Sequence, residues 1–355
     1  MSVLHFDKHS NTFLIGIGEN LYQYSNNQTT FLTKCGEYLD IPAPEQEIKE
    51  NKRAPRAEGN AYITGVASCE ECVAVISNNK IVETFNRQFQ KQASVVAMKR
   101  PTSVQVTNKN VVISDKSGDA HSYDLSLANQ KYLLGHVSVV MDTVMTPDHK
   151  FLITCDRDEK IRISHFPNCY NIEAYLLAHQ EYVLKILLLS PNTLLSVGGD
   201  QNLLLWDLTS KTLLQTVSST KGDFTSVTYT SPYLITCNLS HVTVYKLTNN
   251  TLAQVSELTL DHGIVSLAAS DSHVVVLTRK VPSTKLALYQ FSEGVMSSLG
   301  EIEGEFDLSK CVETPLPEKI KTGRTAGFAG YFERKRKRIE EEALKEETRQ
   351  VKLNS

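Results

Sequence analysis

Residues 133–166 read LLGHVSVVMDTVMTPDHKFLITCDRDEKIRISHF, and residues 176–208 read LLAHQEYVLKILLLSPNTLLSVGGDQNLLLWDL. Laid one over the other, His136 falls on His179, Pro147 on Pro191, Asp158 on Asp200, and Ser164 on Trp206. Within each unit, short apolar runs are separated by turn residues such as Pro147-Asp148 and Pro191-Asn192, the signature of strands rather than helices. A chain that repeats a strand-rich unit in this way stacks supersecondary units that cannot bury their apolar faces alone.

The spacing of about 42 residues, with His early, Asp near the third strand and Trp206-Asp207 at its end, is the pattern of WD repeats, each one four-stranded blade of a β-propeller. Weaker units lie outside this pair. They are 14–25 (LIGIGENLYQYS), 59–85, 103–125 with Tyr123-Asp124 in the Trp-Asp place, 224–247 and 262–291. The expected fold is therefore all-β, a seven-bladed WD-repeat propeller over residues 1–300. Val3-Leu4-His5-Phe6 is expected to close the ring as an outer strand of the last blade, which would hide a sheet edge. Residues 41–58, with three prolines and mixed charge, read as a long loop. Residues 301–355 read as a C-terminal extension with a charged helix at about 330–350, whose Glu333–Lys337 and Glu341–Lys345 pairs sit at helical spacing.

Composition narrows the function classes. The 355 residues are 41% hydrophobic and 22% charged, with a net charge of −3, so no global field draws the protein to nucleic acid or membrane. No run of about 18 apolar residues suggests a membrane span. Seven scattered cysteines fit a reducing compartment, and the expected location is the nucleus or cytosol. No metalloprotease, serine-hydrolase, Walker or dinucleotide motif occurs, so a catalytic role is not expected. Cys69-Glu70-Glu71-Cys72 is a single Cys pair where structural zinc commonly wants two, and turn thiols are the simpler reading. His136 with Asp158, His179 with Asp200, and Trp206 are read as structural residues that fix blade turns. The run Arg334-Lys335-Arg336-Lys337-Arg338 is read as a solvated helix face, a nuclear-import signal or a tRNA phosphate contact.

The knot Asp156-Arg157-Asp158-Glu159-Lys160, followed by Arg162, is the unusual feature of the repeat. Glu159 stands where a WD blade usually has glycine, and Ser164-His165 stand where Trp-Asp usually closes the strand. On physics alone a solvated turn and a charged docking surface both account for it. The stretch GHVSVVMDTVMTPDHKFLITCDRDEKIRIS resembles the matching part of the non-catalytic WD-repeat subunit of tRNA (guanine-N(7)-)-methyltransferase, and GYFERKRKRIEEE resembles that family's charged C-terminal segment. The resemblance implies a non-catalytic scaffold that forms a heterodimer with a separate catalytic subunit. That subunit would bind S-adenosylmethionine and form 7-methylguanosine in the variable loop of tRNA, and this chain would hold no cofactor or metal. It further implies that Glu159 and Arg162 pair with charges of that partner, with Lys160, Arg157 and Asp156 nearby. The competing expectations are a substrate receptor of a ubiquitin ligase and a generic peptide-binding propeller in a chromatin complex. Trp206-Asp207-Leu208-Thr209 lacks the Arg of the Trp-Asp-x-Arg motif that such receptors often carry.

Overall fold

A computed structural model describes residues 2–25, 28–36, 60–261, 263–280 and 283–302. Among these residues the chain forms seven four-stranded antiparallel sheets, each built from four strands consecutive in sequence. Blades 1 to 7 span residues 2–34, 63–96, 101–135, 140–176, 183–218, 226–259 and 263–301. The first strand of each blade packs on the first strand of the next, and Gly263–Ala269 of blade 7 packs on Ser2–Asp7 of blade 1, so the ring is closed. The loop expected at 41–58 and the C-terminal helix with Arg334–Arg338 lie outside the described residues.

The core is divided among the seams between blades. Seven apolar clusters occur among the described residues, and each joins neighbouring blades. Between blades 4 and 5, for example, Ile153, Ile161 and Ile163 meet Val183, Leu194, Leu204 and Trp206. This packing explains the sequence pattern. The two middle strands of a blade are covered on both faces, so Thr193–Gly198 is buried throughout and shows no alternation. The outermost strand has one open face, and Thr212–Ser218 shows the exposure this brings. Each fully buried Leu or Ile contributes about 1.5–3 kcal/mol.

Ring closure differs from the expectation. Residues 3–6 do not join blade 7. Strand Ser2–Asp7 is the innermost strand of blade 1 and pairs with Thr12–Ile17, from Ser2 opposite Ile17 to Asp7 opposite Thr12. The reason lies in two strands that the sequence reading passed over. Gln28–Lys34 supplies the outermost strand of blade 1, and Val295–Glu301 that of blade 7. With both outer positions filled, the first segment has only an inner place to take. Closure then rests on side-chain packing, with Leu4, Phe13 and Ile15 of blade 1 against Ala268, Val275, Leu277 and Leu286 of blade 7.

Candidate docking site on blade 4

Strands Phe151–Asp156 and Ile161–His165 of blade 4 are joined by the charged turn. Asp156 organises it from below. Its Oδ1 accepts the backbone N–H groups of Asp158 and Lys160, both at 2.9 Å. Its Oδ2 lies 2.9 Å from His136 Nδ1, and His136 Nε2 lies 2.7 Å from Thr154 Oγ1. Burial pushes the Asp156 carboxyl up, but the His136 hydrogen bond and charge and the Lys160 N–H outweigh it, so the net shift is downward.

Blade 5 builds the same device with different residues. His179 Nδ1 lies 3.0 Å from Asp200 Oδ2, and its Nε2 lies 2.8 Å from Ser196 Oγ, which also accepts the Trp206 indole N–H at 2.9 Å. The expected His179–Asp200 hydrogen bond is thus present, and Trp206 joins it through Ser196. The expected partner of His136 is corrected: it is Asp156, not Asp158. The cause is one residue. At Gly198 of blade 5, a Cβ would collide with the His179 ring, so that ring can reach on to Asp200. The matching position in blade 4 is Asp156, whose own carboxylate meets His136. Asp158 instead contributes its backbone, and its carbonyl accepts the Lys160 ammonium at 2.9 Å.

Arg162 points inward. It is 6% exposed. Nε donates to Ser164 Oγ at 2.8 Å, Nη1 to the Gly135 carbonyl at 3.1 Å and Nη2 to the Cys169 carbonyl at 2.6 Å. Ser164, small at the register position of the blade 5 indole, leaves room for this fork. Arg162 therefore ties the last strand of blade 3 (Lys131–Gly135) to blade 4. Asp156 is likewise buried. Asp156 supports the turn directly, and Arg162 ties the neighbouring strands together beneath it.

Arg157 is exposed, and Asp158, Glu159 and Lys160 are half-buried. Glu159 has a φ of 73°, the left-handed region that glycine occupies at little cost. Among the described residues no side chain donates a hydrogen bond to its carboxylate. Burial raises its pKa, Lys160 lowers it, and the charges of Asp158, Glu181 and Asp156 raise it further, for a net upward shift. Two apolar side chains flank the turn. Val137, beside His136, is 57% exposed, and Leu177, next to the Leu176 that pairs with Ile161, is 66% exposed. Sequence reasoning missed both, because an isolated Val or Leu in a connecting segment carries no periodicity. Ile172 and Tyr175 are exposed along the outermost strand of blade 4, and Tyr170 in the turn before it.

Comparison with known proteins gives concordant results. A family profile described as the tRNA methyltransferase TRM82 WD40 domain matches residues 126–294. The chain is 30% identical over 277 residues to the tRNA (guanine-N(7)-)-methyltransferase non-catalytic subunit wuho of Drosophila mojavensis, covering 70% of this chain and 72% of the relative. It is 29% identical over 345 residues to the subunit of the same name from Drosophila grimshawi, covering 87% and 89%. Among solved structures it is similar to a chain in the crystal structure of a mitotic checkpoint complex, with a TM-score of 0.66 over 82% of this chain and 89% of the other. At 15% identity that likeness speaks to the propeller fold alone.

Proposed function

The chain belongs to the family of non-catalytic subunits of tRNA (guanine-N(7)-)-methyltransferase, and from that premise we propose that it docks the catalytic subunit through the blade 4 turn. The observation that carries the reading is Glu159. A residue that adopts a left-handed backbone, sits among other acids and, among the described residues, receives no side-chain hydrogen bond has little beyond Lys160 to offset these costs. A cationic group on a partner would relieve the charge. Val137 and Leu177 on either side supply the apolar contact that surrounds such a pair in an interface. Arg157 and Lys160 lie at the rim. Asp156 holds the turn in place from within, and Arg162 braces blade 4 against blade 3, so their contribution to binding is by positioning.

S-adenosylmethionine is expected on the partner, with guanine of the tRNA variable loop as the methyl acceptor. This chain would raise activity by holding the partner's active-site elements in a productive arrangement. The run Arg334–Arg338 is proposed to touch tRNA phosphates, a contribution read as a shallower salt dependence of binding when the run is neutralised. The same run is proposed to direct the protein to the nucleus.

The test is co-purification of the full chain with the catalytic subunit, wild type against Glu159→Arg, with tRNA methylation assayed on each. Circular dichroism and a thermal melt check the fold. Loss of a buried interfacial pair costs about 2–5 kcal/mol, so complex and activity are expected to fall together while the melt is unchanged. A Glu159→Arg chain that binds and activates like wild type removes the turn from the interface.

A further inference from the structure

Six cysteines fall among the described residues, and all are free thiols. Cys35, Cys155, Cys169 and Cys237 are at most 1% exposed. Burial raises the pKa of each, to about 11 for Cys169 and about 12 for Cys237. These four are inert packing residues. Cys69 and Cys72 are also buried free thiols, but they lie side by side.

They face each other across the tip of the blade 2 hairpin, with exposed Glu70 and Glu71 between them. Ser68 pairs with Val73 one step further in. The Cys69 N–H donates to the Cys72 carbonyl at 2.9 Å, and the two sulfurs are 3.5 Å apart. Opposed residues of an antiparallel pair have Cα atoms about 4.5–5.5 Å apart, inside the range of about 4.4–6.8 Å that disulfides span. Rotation of the side chains alone can therefore bring the sulfurs to bonding distance. Both residues are 6% exposed, at a loop tip rather than in a seam.

The surroundings divide the labour between the thiols. The contact with Cys72 and the backbone N–H groups of Glu71 and Cys72 favour the Cys69 thiolate, burial and the Glu71 charge oppose it, and the net shift of its pKa is downward. Cys72 is pushed up by the same contact and by burial. The charged groups facing the pair are Glu70 and Glu71 of the turn and Arg87 of the neighbouring hairpin. Arg87 Nη1 donates to the Cys69 carbonyl at 3.3 Å, and its Nη2 meets Asp7 Oδ2 of blade 1 at 2.5 Å.

We propose that Cys69 and Cys72 form a reversible thiol–disulfide exchange site, with Cys69 as nucleophile, Cys72 as resolving thiol and a small disulfide of the glutathione-disulfide class as co-reactant. The Cys69 thiolate attacks one sulfur of that disulfide, the S–S bond breaks, and one thiolate leaves with the electron pair. Cys72 then loses its proton to the departing thiolate and attacks Cys69 Sγ, releasing the second thiol. Two protein thiols are oxidised to one disulfide, and one small disulfide is reduced to two thiols. The Cys69 carbonyl meets Arg87, and Arg87 meets Asp7, so the hairpin lies against the seam between blades 1 and 2.

The test treats the full chain with glutathione disulfide at neutral pH, quenches with acid and maps the peptides by mass. Wild type is expected to lose two hydrogens in a peptide joining Cys69 to Cys72. Cys72→Ser should stop with one glutathione on Cys69, and Cys69→Ser should react at least about tenfold more slowly. Because serine at either place could loosen the hairpin, native wild type is also alkylated with iodoacetamide across pH. Cys69 should react first, and at a pH below that of an ordinary thiol. Oxidation of the four sealed cysteines at the same rate as the pair overturns the proposal. So does equal reaction of the two serine variants, or alkylation of Cys69 only on unfolding.

Discussion

Glu159 is held in a backbone conformation that disfavours any side chain, and this gives its substitutions opposite effects on folding and on binding. Glu159→Gly removes both the left-handed cost and the crowded carboxylate, so the free chain should be unchanged or up to about 1 kcal/mol more stable in a urea titration. The same variant should weaken the complex with the catalytic subunit, measured by calorimetry. A variant that improves folding and binding together would contradict the interfacial reading. Arg162 behaves in the reverse manner. Arg162→Leu leaves the carbonyls of Gly135 and Cys169 and the Ser164 hydroxyl without their donor, which should cost about 2–4 kcal/mol of stability. Arg162→Lys should recover little of this, since one ammonium cannot reproduce a planar fork that meets three acceptors. Denaturant midpoints of the three chains decide the matter.

At the scale of the element, the blade turns set the acid limit of the fold. Asp156 and Asp200 both have carboxyl pKa values held below the ordinary range, where their histidine contacts and backbone N–H donors outweigh burial. A carboxyl depressed in the folded state contributes its stability above the unfolded-state pKa and loses it as the pH falls through the folded one. Stability should therefore be level through neutral pH and fall below about pH 4. Asp156→Asn and Asp200→Asn should each flatten part of that fall in pH-dependent melts. Much of these elements was legible in the sequence. The His179, Asp200 and Trp206 spacing gave the blade and its bonding, because each residue type has one place in the motif. Asp156 and Asp158 could not be told apart, since they lie two residues apart in one turn, and the choice is made by the absence of a Cβ at Gly198 in the neighbouring repeat. Arg162 could not be placed either. In a strand buried on one face, an Arg between Ile161 and Ile163 points to solvent, but blade 4 is covered on both faces at that depth.

The described residues form a ring of seven sheets closed by side-chain packing. The seam between blades 7 and 1 has no strand crossing it, so its strength is that of its apolar cluster. Leu277→Ala and Ile15→Ala each remove a fully buried side chain from this cluster and should cost about 2–5 kcal/mol. The loss should appear locally. Amide exchange is expected to rise first in Ser2–Asp7 and Gly263–Ala269, before the seam of blades 4 and 5 responds. Uniform exchange around the ring would mean that the seam opens only with global unfolding. The blade count was legible from the repeat, but the closure was not, because Gln28–Lys34 and Val295–Glu301 are polar outer strands with little pattern to announce them.

One consequence follows from the contiguity of the sheets. In a ring whose last sheet borrows a strand from the beginning of the chain, the two termini are pinned to one blade, and the order of the modules is fixed by that loan. Here every blade is complete within its own stretch of sequence. Opening the described ring at a connection between blades would divide no sheet. The seven described blades are therefore equivalent as places to open the ring, since each keeps its four strands together.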